Sequence, residues 1–222
     1  MAGAQHIQFL RRGRVVHHAV ANPMQTVLDY LRLDEKSRGT KEGCNEGDCG
    51  ACTVAIGRLR NGTLVYEPAN ACILLMGHLH GCELVTVDDL ADGGTLHPVQ
   101  QAMAEAHASQ CGFCTPGFVM SLFTLYHSGR AATRDAVMTA LAGNLCRCTG
   151  YRPILDAGQR MFDLPVARLD RAAVTRALQA LRRDPALDYS AQCTTPAGPR
   201  TDHFHAPHTL DELAALRAAK PQ

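Results

Sequence analysis

Three cysteines and four glycines crowd into sixteen positions, GTKEGCNEGDCGACTV, residues 39–54, of a chain that holds ten cysteines in all. No feature constrains the fold more, because so many thiols must be paired, bound or buried. The rest of the chain says which. Its 222 residues suffice for one or two small domains with a sizeable core. A formal net charge of +1 and the absence of a long Lys/Arg run give no electrostatic basis for binding nucleic acid. No apolar run approaches the roughly 18 residues that would span a membrane. MAGAQHIQFLRRGRVVHH at the N-terminus reads as strand, turn and strand, not as a signal peptide. A cytoplasmic location is therefore expected. Disulfides are rare in that compartment, so metal binding or redox chemistry is the better reading of the thiols.

Residues 6–20 read as a hairpin turning at Gly13, and TVLDYLRL (26–33) as a helix. CTVAIGRL and GTLVYEP read as two strands joined across Asn61-Gly62, and ELVTVDDL (83–90) as a further strand. Together they make a small mixed sheet. After Gly93-Gly94 the periodicity becomes helical through about residue 163, and residues 168–183 read as one more helix. DPALDYSAQCTTPAGPRTDH is rich in Pro, Gly, Ser and Thr and reads as a linker, and TLDELAALRAAK as a last short helix. The expected divisions are 1–92, 93–165, 166–203 (helix and linker) and 204–222.

Cys44, Cys49 and Cys52 follow C-x4-C-x2-C, the spacing of plant-type 2Fe-2S ferredoxins. A loop around such a cluster must aim backbone N–H groups at sulfur, and Gly43, Gly47 and Gly50 permit that approach. Zinc ligands come more often as tight pairs. The fourth ligand is open on spacing alone. Cys82 is separated from Cys52 by 29 intervening residues, near the gap of simple ferredoxins, whereas Cys72, separated by 19, precedes an apolar helical run whose N-terminus would favour thiolate.

A second set, Cys111 and Cys114 in QCGFCTPGFVM and Cys146 and Cys148 in NLCRCTGYRPIL, has the pattern C-x2-C, 31 residues, C-x-C. Each pair follows one helical segment and precedes another. Thr115 is expected to cap the first helix and Thr149 to act similarly before Pro153. Two such units would bring four thiols together at helix N-termini, where a second cluster or a four-cysteine zinc site would fit.

GTKEGCNEGDCGACTV, LHPVQQAMAEAHASQCGFCTPGFVMS and LAGNLCRCTGYRPI resemble the iron–sulfur portion of the xanthine dehydrogenase and aldehyde oxidase family of molybdenum hydroxylases, over residues 5–163. The resemblance implies an α+β chain: an N-terminal β-grasp ferredoxin-like 2Fe-2S domain, then an all-α four-helix 2Fe-2S-binding domain. It implies Cys72, in its Asn70-Ala71-Cys72 context, as the fourth ligand to the first cluster, leaving Cys82 without that role. It implies that Gln110 and Cys148 approach the pterin of a molybdenum cofactor held by a large partner subunit, with FAD on a partner or further domain and NAD as final acceptor. The acidic loop with Glu46 and Asp48 is similar to xanthine dehydrogenases. FHAPHTLDELAALRAAKPQ is similar to the opening of the FAD domain of bacterial small subunits.

The expectation is thus an electron-transfer subunit of a hetero-oligomeric xanthine dehydrogenase acting on purines, with no substrate chemistry of its own. No Ser/His/Asp set, phosphate loop or acid/base pair is visible. A related aldehyde or N-heterocycle oxidoreductase is the alternative. A stand-alone ferredoxin-like carrier would need no second thiol set, and a zinc-bound interaction module would be colourless. His203, His205 and His208 lack a carboxylate or thiol partner in the sequence and are not read as a metal site. His78 and His80 are expected at the surface, Cys193 as a free thiol, and Met103, Met120, Met138 and Met161 in the core.

Overall fold

The computed structural model describes residues 6–19, 22–131, 133–167, 169–181 and 187–220. Strands β1 (His6–Arg11) and β2 (Arg14–Ala19) pair antiparallel across Arg12-Gly13, both at positive φ. Strands β3 (Thr53–Arg60) and β4 (Thr63–Asn70) do the same across Asn61-Gly62, at φ +49° and +78°. A two-residue turn with both φ positive matches the twist of paired strands, and Asn-Gly adopts it at little cost. The sheet runs β2-β1-β5-β3-β4, with β5 (Glu83–Val85) parallel to β1 and antiparallel to β3. The expected strand over 83–90 stops at Val85 because Thr86 and Asp89 cap each other and turn Val87–Asp89 into a short 3-10 helix.

Strand β3 is buried on both faces from Thr53 to Gly57, so Val54, Ala55, Ile56 and Gly57 run apolar without alternation before Arg58 and Arg60 bring it toward solvent. Val54 and Ile56 join Ile7, Phe9 and Leu84 against α1 (Val27–Asp29, capped by Thr26) and the wider helical turn Tyr30–Asp34 that continues it. Ala55 and Leu59 face the other way, with Leu10, Leu64 and Tyr66. They pack on Met120 and Phe123 of α3 (Thr115–Tyr126) and on Leu178 and Leu181 of α6 (Arg171–Leu181). A third cluster, with Val99, Met103, Phe118, Leu122, Val137, Ile154 and Met161, joins α2 (Pro98–Glu105), α3, α4 (Arg134–Ala140) and α5 (Arg152–Arg160). Met138 is 52% exposed, unlike its expected core neighbours, because α4 is a short surface helix with only Val137 buried.

The segment read as a linker is a hairpin. Strands β6 (Asp188–Thr195) and β7 (Gly198–His205) pair along their full length, so β7 also crosses the expected boundary at 203. Residues 184–186 of that reading lie outside the described residues. Leu187 and Tyr189 enter the first core, and Tyr189 stacks on Phe204 with centroids 5.2 Å apart. Phe204 fills the space where a side chain on Gly77 would be. Helix α7 (Leu210–Ala219) follows, capped by Thr209 and Glu212 and without a buried residue. No helix among the described residues is long and apolar enough to cross a membrane.

Candidate metal centres

Loop 39–52 is anchored before it turns: Arg32 donates to the carbonyl of the buried Thr40, and Asn70 to that of Gly47. Its N–H groups then face inward. Those of Asp48 and Cys49 donate to Cys44 Sγ at 3.3 Å, and that of Cys44 to Cys49 Sγ at 3.4 Å. A Cβ at Gly43 would stand 2.8 Å from Cys49 Sγ, so only glycine lets the backbone pass this close to sulfur. The backbone N–H groups of Cys49 and Glu46 pull the Cys44 thiol down to about 6.

Cys52 and Cys72 are both buried, one just before β3 and the other just after β4, with their thiols in hydrogen-bond contact. Burial pushes Cys52 up to about 12, a penalty that a bound cation would offset. No α-helix follows Cys72: residues 76–79 form a 3-10 turn, so the expected helix N-terminus is not what faces this thiol. Cys82 lies elsewhere. Glu83 sits opposite Gly57, which puts Cys82 level with Arg58, roughly 20 Å along the strand from Cys52 at about 3.3 Å per residue. Its backbone is tied to Leu10 and Leu79, and its side chain lies in the core.

In the second set, Cys111 and Cys148 lie 3.6 Å apart, Sγ to Sγ, and Cys114 contacts Cys146. Cys114 itself is the residue before α3. Thr115 is the first helical residue and bonds Ser109 instead of capping. Thr149 meets Cys146 Sγ at 3.2 Å and accepts from the N–H of Tyr151, and Tyr151, at φ +67°, leads into α5. The Tyr151 hydroxyl accepts from the Cys146 N–H. In each pair one thiol is held down and the other pushed up, as when two close sulfurs share one proton. The Phe113 N–H and Cys148 hold Cys111 down, while Cys111 pushes Cys148 up. Burial opposes the shift at Cys146, but Thr149 holds it down, whereas burial raises Cys114 to about 12.

The eight thiols therefore meet in twos: 44 with 49, 52 with 72, 111 with 148, and 114 with 146. Among the described residues, no three His, Cys, Asp or Glu side chains converge as a single ion would require. Two irons, each taking two thiolates, fit this donor pattern. His205 is engaged by Asp188 and Lys220, with His203 stacked beside it. His80 is half-buried and accepts from the Gln8 N–H, so it is not the surface residue expected, whereas His78 is. Cys193 forms no disulfide and contacts Asn22.

The two sets are joined by groups that the sequence reading missed. Leu145 N–H donates to the Cys49 carbonyl at 3.0 Å. Beside it the buried Asn144 donates to the Gly50 carbonyl at 3.0 Å and to Thr53 Oγ1 at 3.2 Å, and accepts from Ser121 at 2.6 Å. Cβ atoms at Gly50 and Gly117 would lie 2.2 and 2.1 Å from the carbonyl oxygens of Gly143 and Gly50. Gln110, Cys111 and Cys148 are exposed, and so are the apolar Phe113, Leu145 and Tyr151 close to them in sequence.

Residues 12–77 match the family described as "2Fe-2S iron-sulfur cluster binding domain", and residues 86–159 the one described as "2Fe-2S binding domain". The first match ends after Cys72 and before Cys82. Aldehyde oxidase 1 of Cavia porcellus is 47% identical over 156 residues, and xanthine dehydrogenase of Drosophila pseudoobscura pseudoobscura 45% over 168. These alignments take in 69% and 73% of this chain, which spans 12% of either relative's length. Among solved structures, quinoline 2-oxidoreductase from Pseudomonas putida 86 matches with a TM-score of 0.59 and 34% identity, over 80% of this chain and 98% of that one.

Proposed function

The chain belongs to the iron–sulfur electron-transfer components of the molybdenum hydroxylase family, and we propose that it serves as the small subunit of a xanthine dehydrogenase, relaying electrons from purine oxidation toward FAD and NAD. The observation that carries the relay is the meeting of eight thiols in four pairs, with backbone N–H groups aimed at sulfur in the first set. We assign Cys44, Cys49, Cys52 and Cys72 to one 2Fe-2S cluster and Cys111, Cys114, Cys146 and Cys148 to the other. When bound, such clusters take up and return one electron at a time.

The chain's own residues do the rest. The N–H donors of loop 44–49 offset negative charge on sulfur and so tune potential. Burial keeps water from Cys52 and Cys72. Gln110 and Cys148, both exposed, face the pterin of a molybdenum-cofactor-binding partner in this reading. Substrate oxidation belongs to that partner, and the flavin to another subunit or domain. The N-terminal unit is a β-grasp ferredoxin-like domain and the second a four-helix one, in a cytoplasmic hetero-oligomer.

A second reading keeps the relay and changes the substrate, because aldehyde oxidase and quinoline 2-oxidoreductase match as xanthine dehydrogenase does. The test is to mix the anaerobically purified chain with its molybdenum partner and add xanthine, an aldehyde or quinoline in turn. Bleaching of the visible absorption by xanthine alone is expected. Bleaching by one of the others selects the second reading. Bleaching by xanthine without the partner, retention of FAD by this chain, or about one zinc and two irons per chain would overturn the assignment.

A further inference from the structure

Asn144 is the one side chain described above that holds both thiol loops and a helix at once. It is 4% exposed, and so is Thr53; Ser121 is 2% exposed. The Gly50 carbonyl can only accept, so the amide nitrogen must face it, which fixes the orientation of the whole group. The second N–H then reaches Thr53 Oγ1, while the Thr53 hydroxyl donates to the same Gly50 carbonyl at 2.7 Å. The amide oxygen takes the proton of Ser121 in the middle of α3, the helix that starts beside Cys114. Both N–H groups and one lone pair are thus used inside a dry interface. Asn144 is followed by Leu145, whose N–H holds the Cys49 carbonyl, and then by Cys146.

Building on the two-cluster reading above, we propose that Asn144 is a positioning residue for electron transfer between the two thiol sets: its amide fixes the spacing of the Cys49-Gly50 loop and the Cys146–Cys148 loop. Besides the single Leu145–Cys49 hydrogen bond, the contact surface is glycine backbone. Gly50, Gly117 and Gly143 bring backbone against backbone, and such surfaces slide unless a directional bond pins them. An aspartate of the same shape sets a carboxylate oxygen against the Gly50 carbonyl, so the pin becomes a repulsion while the volume stays the same.

The test uses the full chain with its metal content intact. In the reduced wild-type protein, EPR at low temperature is expected to show two iron–sulfur signals split by their mutual magnetic interaction, which falls steeply with separation. Asn144→Asp is expected to keep the full iron content and both signals but to lose the splitting, and flash-reduction kinetics to show slower exchange between the sites. Should that variant fail to fold, Ser121→Ala, which frees the amide without removing it, is expected to narrow the splitting. Full iron with unchanged splitting and exchange would overturn the proposal and leave Asn144 a packing residue. Loss of one signal would overturn it too, by showing that Asn144 supports ligation instead of spacing. A wild-type chain without two iron–sulfur signals would refute the cluster reading itself, a result distinct from either.

Discussion

The N–H of Leu145 and the carbonyl of Cys49 form a 3.0 Å hydrogen bond across 96 positions of sequence, between the residue before one candidate ligand and another candidate ligand itself. The two thiol sets are therefore parts of one structure, and substitutions between them should be felt by both.

Gly50 tests this directly. It sits at φ +69°, and a Cβ there would lie 2.2 Å from the Gly143 carbonyl oxygen. Gly62, at φ +78°, has open space around it. Gly62→Ala should cost only its backbone strain, about 1 kcal/mol, whereas Gly50→Ala should cost about 3 kcal/mol by adding a clash. Urea denaturation of both variants measures the difference, and equal losses would show that the interface yields.

The choice between Cys72 and Cys82 separates as cleanly. Cys72→Ser should remove about half of the iron and one EPR signal, because each 2Fe-2S cluster needs four ligands. Cys82→Ser should leave the iron content unchanged. The reverse pattern would make Cys82 the ligand and require β5 to lie elsewhere.

Arg11 is buried between Glu35 and Asp89, while its neighbour Arg12, facing the same carboxylates, is half exposed. Removing a buried partner strands charge. Arg11→Leu should therefore destabilise by about 3 kcal/mol, and Arg12→Leu by under about 1 kcal/mol. Thermal unfolding at neutral pH ranks the two, and similar shifts would mean that water reaches the Arg11 site.

His97 and His127, 5.6 Å apart, are both held down to about 4 by burial; at His127 the charge of His97 and Arg171 adds to this. Unfolded imidazoles titrate near 6.5. Between about pH 6.5 and 4 the unfolded chain binds protons that the native one refuses, so stability falls as pH drops, by up to about 1.4 kcal/mol per pH unit for each ring. Above about pH 6.5 neither ring contributes a slope. His127→Phe should flatten the acid limb of a urea-midpoint against pH curve. An unchanged limb would assign the loss to other groups.

The sequence carried the parts of this molecule that are written locally. Asn61-Gly62 marks its turn, and C-x4-C-x2-C together with C-x2-C and C-x-C mark the thiols. What it hid depends on distant partners. Tyr189 and Phe204 make strands of a Pro- and Thr-rich stretch only because they stack together over Gly77. Thr115 looks like a cap until Cys114 occupies that position and Ser109 takes the hydroxyl. Asn144 looks like an ordinary polar residue after a helix, and its three partners lie 23 to 94 positions away.

Strand β3 gives Val54 and Ile56 to one core and Ala55 and Leu59 to the other. Pulling that single strand from the sheet would wet both sides at once. The ferredoxin-like part and the helices behind it should therefore melt as one cooperative unit, with a single calorimetric peak whose calorimetric and van't Hoff enthalpies agree. By the same reasoning, expressing the helices alone would leave Met120 and Phe123 facing water, and scissors placed between the two matched regions would yield two sticky fragments in place of two working halves.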